Sequence, residues 1–267
     1  MEWAIEASDA LYLLLNGLAG RSWLFDSLVA LAIDNNLVKA GPVAAAFFFA
    51  WQAGKERERL RARCVLLVTL AALPLVLAAT KLTADSIFLP RPFIQSQQTY
   101  HLEAGRLVEA APLAYRAPQE GFSHGRFERM RQGEIEENDL ASFPSDHAAF
   151  YIALALGILL ASRVAGLVAT GWTLIVICGS RMITGTHSPL DIVAGLAIGT
   201  AVLLPLHFVA RRFGGRLLDP VARWTERHGA LASAGLFLIL FEVANTLENI
   251  REVLRTVKKI AERLFGL

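Results

Sequence analysis

Charge is scarce in this sequence. Only 19% of its 267 residues are Asp, Glu, Lys or Arg, and they nearly cancel to a formal +2, so no global field points to nucleic acid as a partner. Cysteine is scarcer. Cys64 and Cys178 both lie in apolar runs, which excludes a disulfide framework, leaves a zinc site without its raw material, and predicts two inert core residues. Positive charge is missing from the amino terminus, where Glu2, Glu6 and Asp9 stand, so no cleaved signal peptide is expected. The remainder is apolar, 54% of the chain, more than a soluble domain of this length buries. A membrane is the natural solvent for the excess.

Crossing a hydrocarbon core takes roughly 20 apolar residues. The runs that approach this length are Leu37 to Ala53, Cys64 to Phe88, His147 to Ala161, Ala165 to Gly179, Leu190 to Ala210 and Ala230 to Thr246. An all-α, polytopic membrane bundle of about six transmembrane helices is therefore expected. Asn16-Gly17 and Gly20-Arg21-Ser22 interrupt an earlier run, Leu11 to Ile33, so residues 1–36 read as interfacial helices around a turn, with a poorly formed seventh span as the alternative. Phe47, Phe48, Phe49 and Trp51 suit lipid-facing packing and an interface anchor.

Short loops rich in Lys and Arg stay on the cytoplasmic side. Lys55, Arg57, Arg59, Arg61 and Arg63 form one such loop, and Arg211, Arg212, Arg216, Arg223 and Arg227 another. Counting spans between them places the long loop at 93–143 and the turn from Ser180 to His187 outside, facing the periplasm or the extracellular side of a cell inner membrane. The long loop, with Glu134, Glu136, Glu137 and Asp139 near its end, is expected to be a lid or a substrate-facing insertion rather than a plain surface loop. Residues 37–212 then form the catalytic core, and 213–267 a cytoplasmic linker and a long C-terminal helix. In that helix Leu247, Ile250, Leu254, Val257 and Leu264 recur at three- and four-residue intervals. Its basic tail prefers the cytoplasm, whereas a crossing from Ala230 to Thr246 delivers it outside. The segment therefore crosses, lies along the inner surface, or packs as a coiled coil that joins copies into a homo-oligomer.

Three clusters fall on one face of the membrane. They are Lys81 with Arg91-Pro92, then Pro144-Ser145-Asp146-His147, then Ser180-Arg181 followed by His187 and Asp191. His187 and Asp191 are four apart, so at a helix start the carboxylate holds one imidazole nitrogen while the other points out. His147 opens a helix on the same side, placed to give a proton to a departing oxygen. One histidine to attack and one to protonate make a phosphoryl-transfer pair. Arg91 and Arg181 offer planar forks for phosphate oxygens, and Ser145 with nearby helix-start amides adds donors. His207 and His228 read as structural, and so do His101 and His124 in the long loop, with contact to a substrate as their alternative.

These residues resemble the type 2 phosphatidic acid phosphatase (PAP2) superfamily, which also contains the vanadium haloperoxidases. The resemblance runs from about Lys81 to Gly195. It implies a phosphohistidine on His187, oriented by Asp191, with His147 as general acid, phosphate held by Arg91, Ser145 and Arg181, and neither metal nor other cofactor. The sequence departs from the family twice. The family's lysine before Arg-Pro falls on Ala84, with Lys81 one helical turn earlier and able either to reach the phosphate or to pair with Asp85. Asp146 stands where the family commonly has glycine, an acid beside the phosphate that tunes affinity. Among bacterial members the resemblance points to a lipid phosphate or diphosphate substrate, above all undecaprenyl diphosphate. Lipid A dephosphorylation and phosphotransfer to another lipid use the same residues. The haloperoxidases are soluble and this chain is not. A membrane scaffold or transporter leaves the two histidines without a purpose.

Overall fold

Polar side chains at the ends of the apolar runs decide where each helix begins. The Asn35 carboxamide oxygen accepts from the amides of Leu37 and Val38, at 2.9 and 3.1 Å. Ser188 and Asp191 form a reciprocal capping box, with Pro189 in the first turn as expected. The computed structural model describes residues 2–97, 99–103, 106–110, 112–134 and 140–244. In chain order α1 (Glu2–Asn16), α2 (Trp23–Asp34), α3 (Asn36–Gln52) and α4 (Glu56–Ala84) come first. The long loop carries an antiparallel hairpin, β1 (Thr99–Glu103) and β2 (Arg106–Ala110), and then α5 (Phe122–Arg131). The rest is α6 (Asp146–Ala161), α7 (Arg163–Ile183, with a π-helical stretch at Thr173–Cys178), α8 (Pro189–Phe213), α9 (Gly215–Arg227) and α10 (Gly229–Ala244). The bundle is helical as expected, and the hairpin is an addition.

The span count differs from the expected six. Among the described residues three helices, α4, α7 and α8, are long and apolar enough to cross a membrane, and a fourth span exists if α9 and α10, bent by 111°, are taken as one. α6 has 16 residues, which at about 1.5 Å each reach only about 24 Å of a core roughly 30 Å thick. Its surroundings explain its apolarity: Ala148 to Ala155, Gly157 and Ile158 are all buried, so this helix is solvated by protein on every side. Apolar composition is the same whether the neighbour is lipid or helix. Beyond Ala244 the chain lies outside the described residues, and with it the coiled-coil periodicity and the self-association expected from it.

α6 is the axis of the fold, with α4 and α8 against it and α3 and α7 completing the core. Without a hydrophobic driving force between helices in lipid, close approach rests on small residues. A Cβ on Gly199 would stand 2.2 Å from the Ala149 carbonyl oxygen, and one on Gly195 2.3 Å from that of Ser145. On the other flank a Cβ on Gly157 would meet Thr69 at 2.1 Å. The aromatic run divides in two: Phe47 and Trp51 are core, while Phe48 and Phe49 are exposed on the outer face. Trp51 is therefore no interface anchor. Its ring lies under the Arg63 guanidinium, 5.1 Å from the centroid. Arg63, one of the arginines of the basic loop, is 4% exposed, donates to Thr225 at 3.2 Å, and pairs with Glu226 at 2.7 Å. Arg59 also pairs with Glu226, so two of these arginines clamp α9 across the end of α4. His207 shares a hydrogen bond of 3.1 Å with Thr69, the structural role expected for it.

The glycine contacts give a stability test. Gly199→Ala forces α8 off α6 and is expected to cost about 1–3 kcal/mol, the usual range for overpacking, read as a lower melting temperature in detergent. Gly171→Ala, with nothing within 4 Å, is the control that leaves it unchanged or slightly raised. Equal melting of the two variants would contradict this packing.

Candidate active site

The Arg91-Pro92 segment meets the stretch before α6 in a short antiparallel bridge at Pro90 and Ala141. Arg91 N–H donates to Leu140 at 3.1 Å, and Ser142 N–H to Leu89 at 2.9 Å. The Ser142 hydroxyl also reaches the Leu89 and Pro90 carbonyls, at 3.2 and 3.3 Å. Its own carbonyl oxygen lies 3.0 Å from His187 Nδ1. A carbonyl only accepts, so Nδ1 carries the ring proton and Nε2 keeps its lone pair. This differs in one respect from the expected arrangement. Asp191 Oδ2 is 3.8 Å from Nδ1, near enough to bear electrostatically on the ring, while the direct bond goes to Ser142. Asp191 spends Oδ2 on the Ser188 amide at 2.6 Å, and its buried Oδ1 finds no hydrogen-bond partner among the described residues.

The starts of α6 and α8 are joined through the main chain. Ser145 N–H donates to the Asp191 carbonyl at 3.0 Å, and the fully buried Ser145 hydroxyl caps α6 through the Ala148 amide at 3.3 Å. In the first turn Asp146 Oδ1 accepts both the His147 amide, at 2.7 Å, and His147 Nδ1, at 2.8 Å. Asp146 was expected on the phosphate; here it holds the second imidazole, whose ring stacks on Tyr151. Arg181 is 4% exposed. The π-helical stretch precedes it, and the extra residue per turn there shifts the phase of the helix that follows. One of its amines donates to the Ile177 carbonyl at 3.1 Å.

Arg91 extends to the Thr186 carbonyl at 2.8 Å, beside the nucleophile candidate, with Asp146 and Asp191 both acting on its charge. Burial pushes the His187 imidazole below its ordinary value, and the Asp191 carboxylate opposes that shift. Lys81 stands apart. It is exposed and pairs with Asp85 Oδ1 at 3.3 Å on the outside of α4. Seven of the eight predicted residues therefore converge, His187, Asp191, His147, Arg91, Ser145, Asp146 and Arg181, and Lys81 does not.

Sequence reasoning missed the supports around them. Asn16 marked a helix break, yet it is 2% exposed. Its amide donates to the carbonyls of Arg116 and Ile183, at 2.9 and 2.8 Å, and its oxygen accepts from Arg116 N–H at 2.7 Å. One side chain thus joins α1, the long loop and the helix that carries Arg181. Ser8 accepts from the Leu190 amide at 3.1 Å. From the loop, the Tyr115 hydroxyl donates to Thr184 at 3.2 Å, and its ring leans on Gly185, where φ of +69° and a Cβ contact of 2.5 Å leave room only for glycine. Phe93, Tyr115 and Phe127 pack as a group, with the Arg126 guanidinium over Phe93. The loop thus covers the turn before His187. His124 turns back to the Pro118 carbonyl at 2.8 Å, while Glu136, Glu137 and Asp139 lie outside the described residues.

Two imidazoles, the buried Arg181 guanidinium, the half-buried Arg91 guanidinium and the helix-start Ser145 come together at one end of the helical bundle. Residues 62–213 match the model of the PAP2 superfamily, and the chain belongs to that superfamily. It is 31% identical over 193 residues to phosphatidylglycerophosphatase B of Escherichia coli (strain K12), an alignment that covers 67% of this chain and 74% of the relative. The proteins of that name from Escherichia coli O157:H7 and Shigella flexneri match to the same extent. No solved structure matches.

Asn16 supplies a test of the buttress. Removing its three buried hydrogen bonds in Asn16→Ala is expected to cost about 1–3 kcal/mol and to lower turnover by loosening the Ile183 to His187 turn. Leu14→Ala, at a site 70% exposed, leaves both the melting temperature and the rate in place. An Asn16→Ala protein with parental stability and turnover would remove the buttress from the account.

Proposed function

We propose that this chain is a membrane phosphatase that hydrolyses a lipid phosphate or diphosphate through a phosphohistidine on His187, without a metal. The observation that carries this reading is the hydrogen bond from His187 Nδ1 to the Ser142 carbonyl, which leaves Nε2 as a free nucleophile beside Arg91, Arg181 and Ser145. In the first step Nε2 attacks phosphorus and the bond to the leaving oxygen breaks. The electron pair passes to that oxygen, which takes a proton from His147. Water then attacks the phosphoimidazole with His147 as base, and inorganic phosphate departs. The guanidiniums meet the charge on the three equatorial oxygens, a role a metal fills elsewhere.

Both basic loops lie at the end of the bundle away from the site, since α4 leaves that end at Glu56 and α6 returns to it at Ala161. By the positive-inside rule the reaction then faces the periplasm from the inner membrane. The substrate this reading favours is undecaprenyl diphosphate. The name of the matched relatives supports phosphatidylglycerophosphate as a second. A phosphate-release panel of monophosphate and diphosphate lipids, run with chelator, separates the two. His187→Ala is expected to fall to background on every lipid while remaining folded, and normal turnover in that variant would sink the mechanism. His147→Ala is expected to lose about 10²–10⁴-fold on alkyl phosphates and much less on p-nitrophenyl phosphate, whose leaving group needs no proton.

The pH profile is a separate check. Burial lowers the His187 value from 6.5, so its neutral attacking form persists as the solution is acidified, and the acid limb of kcat/KM is expected below pH 6.5. Asp191→Asn removes a carboxylate that raises this value, moving the limb of the residual activity lower still. A limb at or above 6.5, or one unmoved by Asp191→Asn, would count against His187 as the group that titrates.

A further inference from the structure

The basic run at the start of α4 serves two faces of that helix, because residues four apart share a face and residues two apart do not. Arg59 and Arg63 are spent on Glu226. Arg57 and Arg61 instead line a cavity of about 890 Å³ between α4, α8 and α9, at the end of the bundle away from the two histidines. Arg211 from the end of α8 and Arg223 from α9 line it too. All four are exposed, and among the described residues none of their guanidiniums makes a hydrogen bond or an ion pair. Two carboxylates, Glu56 and Asp219, also line the cavity, and Asp219 accepts from the Cys64 thiol at 3.8 Å. Four guanidiniums against two carboxylates leave the rim cationic.

The lining changes character with depth. On α4 the arginines are followed by Val65 and Val68, and on α8 Arg211 is preceded by Phe208 and Leu204. Charge thus stands at the ends of two helices long enough to span a membrane, and apolar surface lies within about two turns of it. Leu160, Leu204 and Phe208 wall the cavity and are exposed on the outside of the bundle, so its apolar part reaches the surface that meets the bilayer. Ties hold the walls in place. Glu226 joins α9 to α4, and His207, which lines the cavity, shares its 3.1 Å hydrogen bond with Thr69 of α4.

A small anion satisfies only the rim, and an uncharged apolar ligand only the walls. A phospholipid with a net negative headgroup matches both, in the order in which they occur along α4 and α8. Guanidinium forks suit phosphate oxygens, and basic pockets between membrane helices are where anionic headgroups are held. We propose that this cavity binds one anionic phospholipid, with its phosphate among the four arginines and a chain along Val65, Val68 and Leu204. The site goes beyond the phosphatase reading and stands whether or not His187 is a nucleophile.

The test titrates the full-length chain in detergent with dioleoyl phosphatidylglycerol and reads retained lipid by native mass spectrometry, with dioleoyl phosphatidylcholine as the zwitterionic comparison. The first phosphatidylglycerol is expected to bind about tenfold or more tightly than phosphatidylcholine, and the double variant Arg61→Gln/Arg211→Gln to lose about tenfold of that affinity. Both positions are exposed, so the melting temperature is expected to hold. Arg212→Gln/Arg227→Gln removes two exposed arginines outside the cavity and should keep the parental affinity. sn-Glycerol 3-phosphate, which has the head charge without the chains, should not compete. No lipid retained by the parent, equal affinity for the two lipids, equal loss in both double variants, no loss in the first, or displacement by equimolar sn-glycerol 3-phosphate would each overturn the proposal. So would a lipid-free dimer, which would place a second copy of the chain on this face.

Discussion

Ser142 joins the three parts of the site. Its N–H and hydroxyl donate to the Leu89-Pro90 carbonyls just ahead of Arg91, its carbonyl accepts a hydrogen bond from His187 Nδ1, and it lies three residues before the Ser145 cap of α6. Two of these three functions use the peptide group and none depends on a charged side chain. If the carbonyl moves, the tautomer of His187 is no longer specified, and the ring loses the one contact that fixes which nitrogen is free. The second tie, from Ser145 N–H to the Asp191 carbonyl, is possible only because Gly195 lets α8 approach that close. Packing of small residues deep in the bundle therefore sets the separation of the two histidines at its end.

The acidic residue beside His147 follows from the same economy of position. Asp146 occupies the first turn of α6, where a carboxylate is favoured by the helix dipole, and it accepts from both the amide and the ring of the next residue. It orients the imidazole from its own neighbour, with no help from another helix. His187 is arranged differently, because a carboxylate in direct contact would make Nδ1 share its proton more strongly. Asp191, 3.8 Å away, acts through the field and leaves the directional contact to a neutral carbonyl.

Much of this was legible in the sequence, for physical reasons that also explain the failures. Helix limits followed from apolar runs bounded by caps: Leu190 to Ala210 became Pro189–Phe213, and His147 to Ala161 became Asp146–Ala161. The motif residues were readable because phosphoryl chemistry needs imidazoles and guanidiniums at fixed spacing. Ser142 was not, because its part is played by a carbonyl that every residue possesses. Asn16 looked like a helix breaker because the local signal for a turn and for a buried bridge is the same residue. Arg63 passed for a topology signal, and only its burial against Trp51 and Glu226 gives it a structural role. Six spans are not reached among the described residues, and hydropathy does not record whether an apolar helix such as α6 faces lipid or other helices.

The balance of charge bears on turnover. Arg91 and Arg181 bring two guanidiniums to the site, where Asp146 and Asp191 act on the first and Asp146 on the second. A phosphate dianion there meets guanidiniums whose charge is already partly offset. A site with glycine in place of Asp146 would hold the same anion more tightly, but tight binding of substrate and product alike lowers KM without raising kcat and slows release. On the proposed pathway, charge accumulates at the leaving oxygen during the first step and is discharged by His147. A carboxylate on the other nitrogen of that ring stabilises the protonated imidazole that must deliver the proton. Asp146 therefore weakens the hold on the ground-state phosphate and favours the protonated form of the imidazole that delivers the proton, and both effects favour rate over retention.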